Sequence, residues 1–347
     1  MAKQLPESFR WKIGRQLGEG GQAPVYIATD SRQELSGEFA LKKLPSHKPA
    51  KAYERFSKEI DALRVVEHPS IVRIVDHSAP DDDVQFYVME FVEGARTLRK
   101  LLGTSDNPFA SDPLKSVHFF RQIVFAINAC QECQIVHRDL SPANVLVLPN
   151  GDARIIDFGC CQINDDERIT LTDEGIGTPN YMAPECESGA EGEIRANADF
   201  YSAGKLLWSA ITNKFAFARE DACFKSKSMK NIFPGNPLSW HLQHIFAQTI
   251  RRSPNNRISK GIFALNLANK VEALITSNKQ PLEMFAEHPT CPNCGWGTLQ
   301  HMADDWHLFA NPMPSGLSGR KCDYCGMCFP VDGKQIRASL DLMSRLD

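Results

Sequence analysis

Residues 135–146 read IVHRDLSPANVL. The stretch sets an acid, Asp139, and an amide, Asn144, in one polar loop. A carboxylate can take up a proton, and a carboxylate with an amide offers hard oxygen atoms to a cation. Whether the rest of the chain supplies what such a loop needs decides both its fold and its chemistry.

The bulk numbers set the frame. A chain of 347 residues has room for one large two-lobed domain and a small appendage. Apolar residues make up 42% and charged residues 23%, an ordinary balance for a soluble globular protein. The formal net charge is -3 with no long basic run, so nucleic acid is not implied. No apolar stretch approaches membrane-spanning length, and the start MAKQLPESFRWK lacks the apolar core of a signal peptide. The expected address is cytoplasmic. Of the eleven cysteines, Cys291, Cys294, Cys322, Cys325 and Cys328 cluster near the end of the chain. The others are scattered or adjacent and read as free thiols rather than as a disulfide framework.

Upstream of the loop, WKIGRQLGEG, APVYIATD and GEFALKKL read as three strands, the first two flanking a glycine turn. Phe56, Ile60, Leu63 and Val66 recur at helical spacing over 50–66, and His68-Pro69 stops that helix. IVRIVDHS and VQFYVMEFV add two strands across the acidic turn PDDD. The first 93 residues thus predict a five-stranded sheet carrying one helix. Beyond residue 95 the pattern is mostly helical: a short LRKLLG, a long amphipathic helix over 113–133, a helix over 198–213 that is apolar on most sides, and two more over 238–251 and 261–276. The segment 276–289 marks the boundary before the cysteine-rich end.

Phosphoryl transfer needs the phosphates held, their charge neutralised and the attacking hydroxyl oriented. Each need has a candidate. Gly18, Gly20 and Gly21 sit in a turn between two strands, where glycine lets backbone N–H groups approach a polyphosphate. Lys42 lies inside an apolar strand run, where a charge is costly unless paired, and Glu59 on the following helix is the natural partner. Asp139 is the candidate proton acceptor. Asn144 and the Asp157 of Asp157-Phe158-Gly159 are candidate magnesium ligands.

In this order and spacing, the motifs resemble those of eukaryotic-type (Hanks-type) Ser/Thr protein kinases of bacterial kind, over about residues 10–276. Ala183-Pro184-Glu185, Asp199 and Arg257 extend the match. The resemblance implies an α+β, bilobal protein-kinase-like fold, with an N-lobe over 10–93 and a mainly helical C-lobe over 94–280. It implies ATP and magnesium as cofactors and protein hydroxyls as substrate. Met89 would be the gatekeeper, and Glu90 to Glu93, with Val92 among them, the hinge that holds adenine. Val25, Ala40 and Leu146 would sandwich the ring. Glu185 would pair with Arg257, and Asp199 would brace the catalytic loop. Thr178, in GTPNYM, would bond Asp139 in a segment that docks substrate. Arg138 would wait for an anion on the segment 157–185, supplied by phosphorylation of Thr170 or Thr172, with Thr172 favoured and transient self-association implied.

Three positions depart from the pattern. Ala23-Pro24 replaces the third glycine of the loop, Ser141 stands where the catalytic-loop lysine is expected, and Ala143 stands where tyrosine kinases carry arginine. Removing one positioned charge donor at a transition state costs about 100- to 1,000-fold in rate, which slows an enzyme without abolishing it. Ser141 can still donate a hydrogen bond to phosphate or to Asp139. These departures keep open a second reading, a nucleotide-binding pseudokinase scaffold. A third, a small-molecule phosphotransferase, shares the Asp and Asn spacing but is disfavoured by the 177–182 segment and Ala183-Pro184-Glu185.

At the C-terminal end, Cys291, Cys294, Cys322 and Cys325 form two C-x-x-C-G knuckles, the pattern of a closed, structural zinc site. Residues 286–335 resemble a zinc ribbon, followed by a helix or tail over 336–347. Trp296, Trp306, Leu308 and Phe309 would form either a protein-docking face or the ribbon's own small core.

Overall fold

The computed structural model describes residues 9–19, 23–45, 48–158, 162–163, 180–186, 197–218, 227–251, 254–278, 299–301, 319–322 and 328–330. Five strands come first: β1 (Trp11–Glu19), β2 (Pro24–Asp30), β3 (Phe39–Lys43) and, after helix α1 (Ala50–Val65), β4 (Ile74–His77) and β5 (Phe86–Glu90). They form one antiparallel sheet in the order β1-β2-β3-β5-β4.

The register assigns each side chain to a face, because neighbours along a strand alternate and cross-strand partners share a side. Lys42 opposes Val25 and Tyr87, while Ala40 opposes Ile27 and Met89. These six residues line one face. Trp11, Ala28, Leu41 and Val88 fall on the other and form a buried cluster with Phe39 and Phe86 packed against it. The Trp11 indole donates to Asp76 at 2.6 Å. One face is therefore closed by its own core, and the other is left for chemistry.

The chain then forms β6 (Arg96–Thr97), α2 (Leu98–Leu101), α3 (Pro113–Glu132), β7 (Ile135–Val136), β8 (Val145–Val147), β9 (Ala153–Ile155) and β10 (Gln162–Ile163). Asp112 caps α3 by accepting from the Lys115 N–H at 3.0 Å, with Pro113 in the first turn. The strands β6, β8 and β9 make a small sheet, and β7 pairs with β10. Helices α4 (Asn197–Thr212), α5 (Met229–Ile232), α6 (Gln243–Thr249) and α7 (Gly261–Thr276) follow, then β11 (Leu299–His301), β12 (Gly319–Cys322) and β13 (Cys328–Pro330). By contacts, the chain divides into two compact units. One takes residues 1–222 and 249–270, the other 223–248 and 271–347. The sheet β11-β12-β13 belongs to the second unit and is antiparallel throughout.

The long elements follow the periodicities of the sequence, and three differences have local causes. The strand expected from residue 71 starts at Ile74, because Ile71 forms a parallel bridge to Ile155 of β9. The helix expected over 238–251 opens as a 3-10 turn, Pro237–Leu242, which the Trp240 indole ties to the Phe233 carbonyl at 2.9 Å. The strands β6 to β10 are two or three residues long, too short to carry a periodic signal.

All sixteen residues of α4 are buried, as its lack of a polar face predicts. A Cβ at Gly204 would lie 2.2 Å from Thr249 Oγ1 and 2.9 Å from Ile250 Cγ1, so only glycine lets the helix approach that segment. Gly204→Val should lower unfolding free energy by about 1–3 kcal/mol through overpacking, read as a lower urea midpoint. An unchanged midpoint would show that residues 249–250 can retreat without cost.

Candidate active site

Lys42 is 1% exposed, which makes its partners the first question. Its ammonium lies 2.8 Å from Glu59 Oε1 and 3.0 Å from Asp157 Oδ2. Glu59, on the buried stripe of α1 with Phe56, Ile60 and Leu63, also accepts from the Tyr87 hydroxyl at 2.7 Å and the Phe158 N–H at 3.3 Å. Burial works against the charge on Lys42, but Asp157 and Glu59 outweigh it and raise its pKa. Glu59 is pushed up to about 7 by burial and by the Asp157 carboxylate, against the pull of Lys42. Tyr87 is directly opposite Lys42 across β3 and β5, and nothing in the sequence marked it as part of the site.

The loop between β7 and β8 is fixed from below. Asp199 of α4 is 1% exposed and accepts the backbone N–H of His137 at 2.8 Å and of Arg138 at 2.9 Å. Arg138 and Asp157 both take left-handed backbone conformations, φ 67° and 66°, which cost non-glycine residues of order 1–3 kcal/mol each. Here the Asp199 bonds hold the first, and the Lys42 contact engages the second. The His137 ring packs on Phe158 with centroids 4.7 Å apart. Burial pushes that imidazole down to about 4, so it serves as a neutral packing group near neutral pH.

Asn144 donates its Nδ2 to the Asp139 carbonyl at 2.8 Å and to Asp139 Oδ2 at 3.2 Å. Its own carbonyl accepts from the Ile156 N–H at 2.9 Å, which sets the loop beside the residue preceding Asp157. Burial, and then the Asp157 charge, push the Asp139 carboxyl up to about 7 against Asn144 and Lys42. Asp157 thus raises the pKa of both Asp139 and Glu59 beside the buried Lys42 ammonium. Asn144 Oδ1 and the Asp157 carboxylate are hard oxygen donors of the kind that would hold a divalent cation such as magnesium.

Val25, Ala40, Lys42 and Met89 share the inner face of the sheet, and Leu146 is on β8 of the small sheet. Gly18 opposes Val25, with open space where a Cβ would be. Glu90 ends β5, and Val92 follows it, part-buried. Ser141 is 3% exposed, its carbonyl accepting from the Asn144 N–H at 3.0 Å. Further along, Glu185 and Arg257 form a two-pronged ion pair, one prong at 2.8 Å. Gly20, Gly21, Thr170, Thr172, Thr178, Cys291, Cys294 and Cys325 lie outside the described residues, as does the Cys322 side chain.

Residues 11–270 match the family model described as protein kinase domain. The chain belongs to the protein kinase family. Among its relatives, the serine/threonine-protein kinase PrkC of Bacillus subtilis is 32% identical over 215 residues, 62% of this chain and 32% of that protein. Serine/threonine-protein kinase PknB of Mycolicibacterium smegmatis is 30% identical over 269 residues, 72% of this chain and 41% of its own length. Serine/threonine-protein kinase pkn2 of Myxococcus xanthus is 33% identical over 216 residues, 60% of this chain and 25% of that protein. The chain therefore spans less than half the length of these curated relatives. Among the described residues, no helix is long and apolar enough to cross a membrane.

The raised Glu59 pKa makes stability of this kinase domain depend on pH. Between the ordinary value of 4.5 and about 7, the folded state binds more protons at Glu59 than the unfolded state. This contribution is full below pH 4.5 and is lost as pH rises through about 7. Lys42→Met removes the neutralising charge and should steepen that loss. The variant should melt several degrees lower at pH 8 than at pH 5.5, measured against wild type at each pH, and Glu59→Gln added to it should flatten the difference. Equal melting shifts at both pH values would show that Glu59 does not titrate in this window.

Proposed function

We propose that the chain is an ATP- and magnesium-dependent Ser/Thr protein kinase, regulated through its activation segment. The observation that carries this reading is the buried Lys42–Glu59–Asp157 cluster beside Asp139 and Asn144. A lysine held at full charge, with two carboxylates and an amide oxygen to spare, is what a polyphosphate and its cation require.

Each residue then has a task. Lys42 holds phosphate oxygens, and Glu59 holds Lys42. Asn144 and Asp157 keep the hard ligand set in place; magnesium, when bound, neutralises charge on the phosphates. Asp139 orients the serine or threonine hydroxyl and takes its proton as the new O–P bond forms. The bond between the β–γ bridging oxygen and the γ-phosphorus breaks, and ADP leaves with that oxygen. A carboxyl with a pKa near 7 is matched to accepting a proton at neutral pH. Asp199 holds the loop but touches no substrate. Val25, Ala40, Met89, Glu90, Val92 and Leu146 form the adenine slot, with Gly18, Gly20 and Gly21 over the phosphates. Thr178 would bond Asp139 within the segment that docks substrate, and Arg138 would receive phosphorylated Thr172 or Thr170.

The purified chain should transfer label from ATP to itself or to a protein substrate, with phosphosites at Thr170 or Thr172. Asp157→Asn and Lys42→Ala should reduce the rate by 100-fold or more. Saturable ATP binding without turnover would sink the kinase reading and leave a scaffold. Transfer only to free amino-sugars would make it a small-molecule phosphotransferase.

We infer a structural zinc site from the spacing of the two C-x-x-C-G motifs. Leu299 at the start of β11 pairs with Cys322 at the end of β12, and Lys321 pairs with Cys328. The second C-x-x-C motif begins at Cys322, the last residue of β12. Four thiolates would close a tetrahedral site, leaving the module to dock protein. One zinc per chain should be found by elemental analysis, and Cys322→Ser should lose it. A chain without zinc after metal-supplemented purification would overturn this part.

A further inference from the structure

Glu90 carries two contacts that the nucleotide site does not account for. Its Oε1 accepts the Arg73 backbone N–H at 3.0 Å and the Arg154 guanidinium at 2.7 Å. Its own backbone N–H donates to the Arg73 carbonyl at 3.0 Å. Glu90 is the last residue of β5, where the five-stranded sheet ends, whereas Arg154 is the middle residue of β9 in the small sheet. The pair therefore joins the two sheets across the connection between them.

Arg154 is placed to transmit that link. It lies directly opposite Leu146 on β8, and Asn144 precedes β8 by one residue. Its neighbour Ile155 accepts the Val72 N–H at 3.1 Å and donates to the Ser70 carbonyl at 2.8 Å, and β9 runs into Asp157. One arginine thus sits on the strand leading to Asp157, pairs across to the strand below the adenine slot, and bonds the residue that begins the hinge.

We propose that the Glu90–Arg154 ion pair is a clasp that sets the separation of the two sheets, making Arg154 a positioning residue for nucleotide binding. This rests on the kinase reading of the site. The two side chains are 29% and 27% exposed, and a pair this accessible adds little to global stability. Its geometry matters instead, because a charge-assisted bond restricts an angle that a bare connection would leave free. Without the clasp, the slot between Ala40 and Leu146 is held less closely, and ATP must order it on binding.

The test combines hydrogen exchange on the nucleotide-free chain with ATP kinetics. In Arg154→Ala, amide exchange should quicken over 90–93 and 145–147, while exchange in α3 and the melting temperature stay as in wild type. The KM for ATP should rise about three- to tenfold with kcat within twofold, and Arg154→Lys should recover part of the loss. In the nucleotide-free chain, adding Glu90→Gln to Arg154→Ala should quicken exchange no further, because residues that act as one pair are non-additive. Unchanged exchange at 90–93, or additive effects of the two substitutions, would overturn the clasp. A wild type that fails to turn over ATP would defeat the kinase reading alone, since the exchange pattern reads the clasp without activity.

Discussion

A lysine ammonium buried between two carboxylates is the constraint around which this domain is organised. Lys42 cannot be hydrated at 1% exposure, so its charge must be met by protein. Meeting it fixes α1 against the sheet through Glu59 and fixes the segment after β9 through Asp157. Breaking such a buried pair by removing one partner costs about 3–5 kcal/mol, whereas a well-packed apolar replacement often costs nothing. Stability therefore does not explain the arrangement. The proposed role in holding phosphate and cation would.

A second constraint acts from the opposite side. Asp199 sits in a helix buried on every side, and its carboxylate accepts two successive backbone N–H groups of the loop before Asp139. Burial pushes its pKa up to about 6, against the bonds from His137 and Arg138 and the Arg138 charge. Those bonds hold Arg138 in a left-handed conformation that its side chain would otherwise disfavour. Sheet and helix thus each contribute a buried acid that positions something else: Glu59 a lysine, Asp199 a backbone. The residues that would meet substrate, Asp139 and Asn144, hang between them and bond each other.

The loss of the catalytic-loop lysine is local in this setting. Ser141 is buried and its carbonyl joins the turn that presents Asn144. Lys42 pairs with Asp157, and Asn144 bonds Asp139, through contacts that do not use the side chain at 141. On the proposed reading, the serine would remove one donor from phosphate and leave the frame around it intact.

The sequence by itself determined the long elements, because burying one face of a strand or helix imposes a period that survives in the order of residues. It also determined which acids, amides and lysine could act, because charge within apolar runs is rare without a reason. Tertiary structure alone decided what each of them meets. Tyr87 joins Glu59 only because β3 and β5 pair in a register that sets Lys42 opposite Tyr87. Arg154 reaches Glu90 only because a three-residue strand, too short to leave a periodic trace, lies beside the end of β5. The left-handed backbone at Asp157 has no signature either, and its side chain meets Lys42, more than a hundred residues away in the chain. Composition and period record what must be buried; register and long-range contact decide against what.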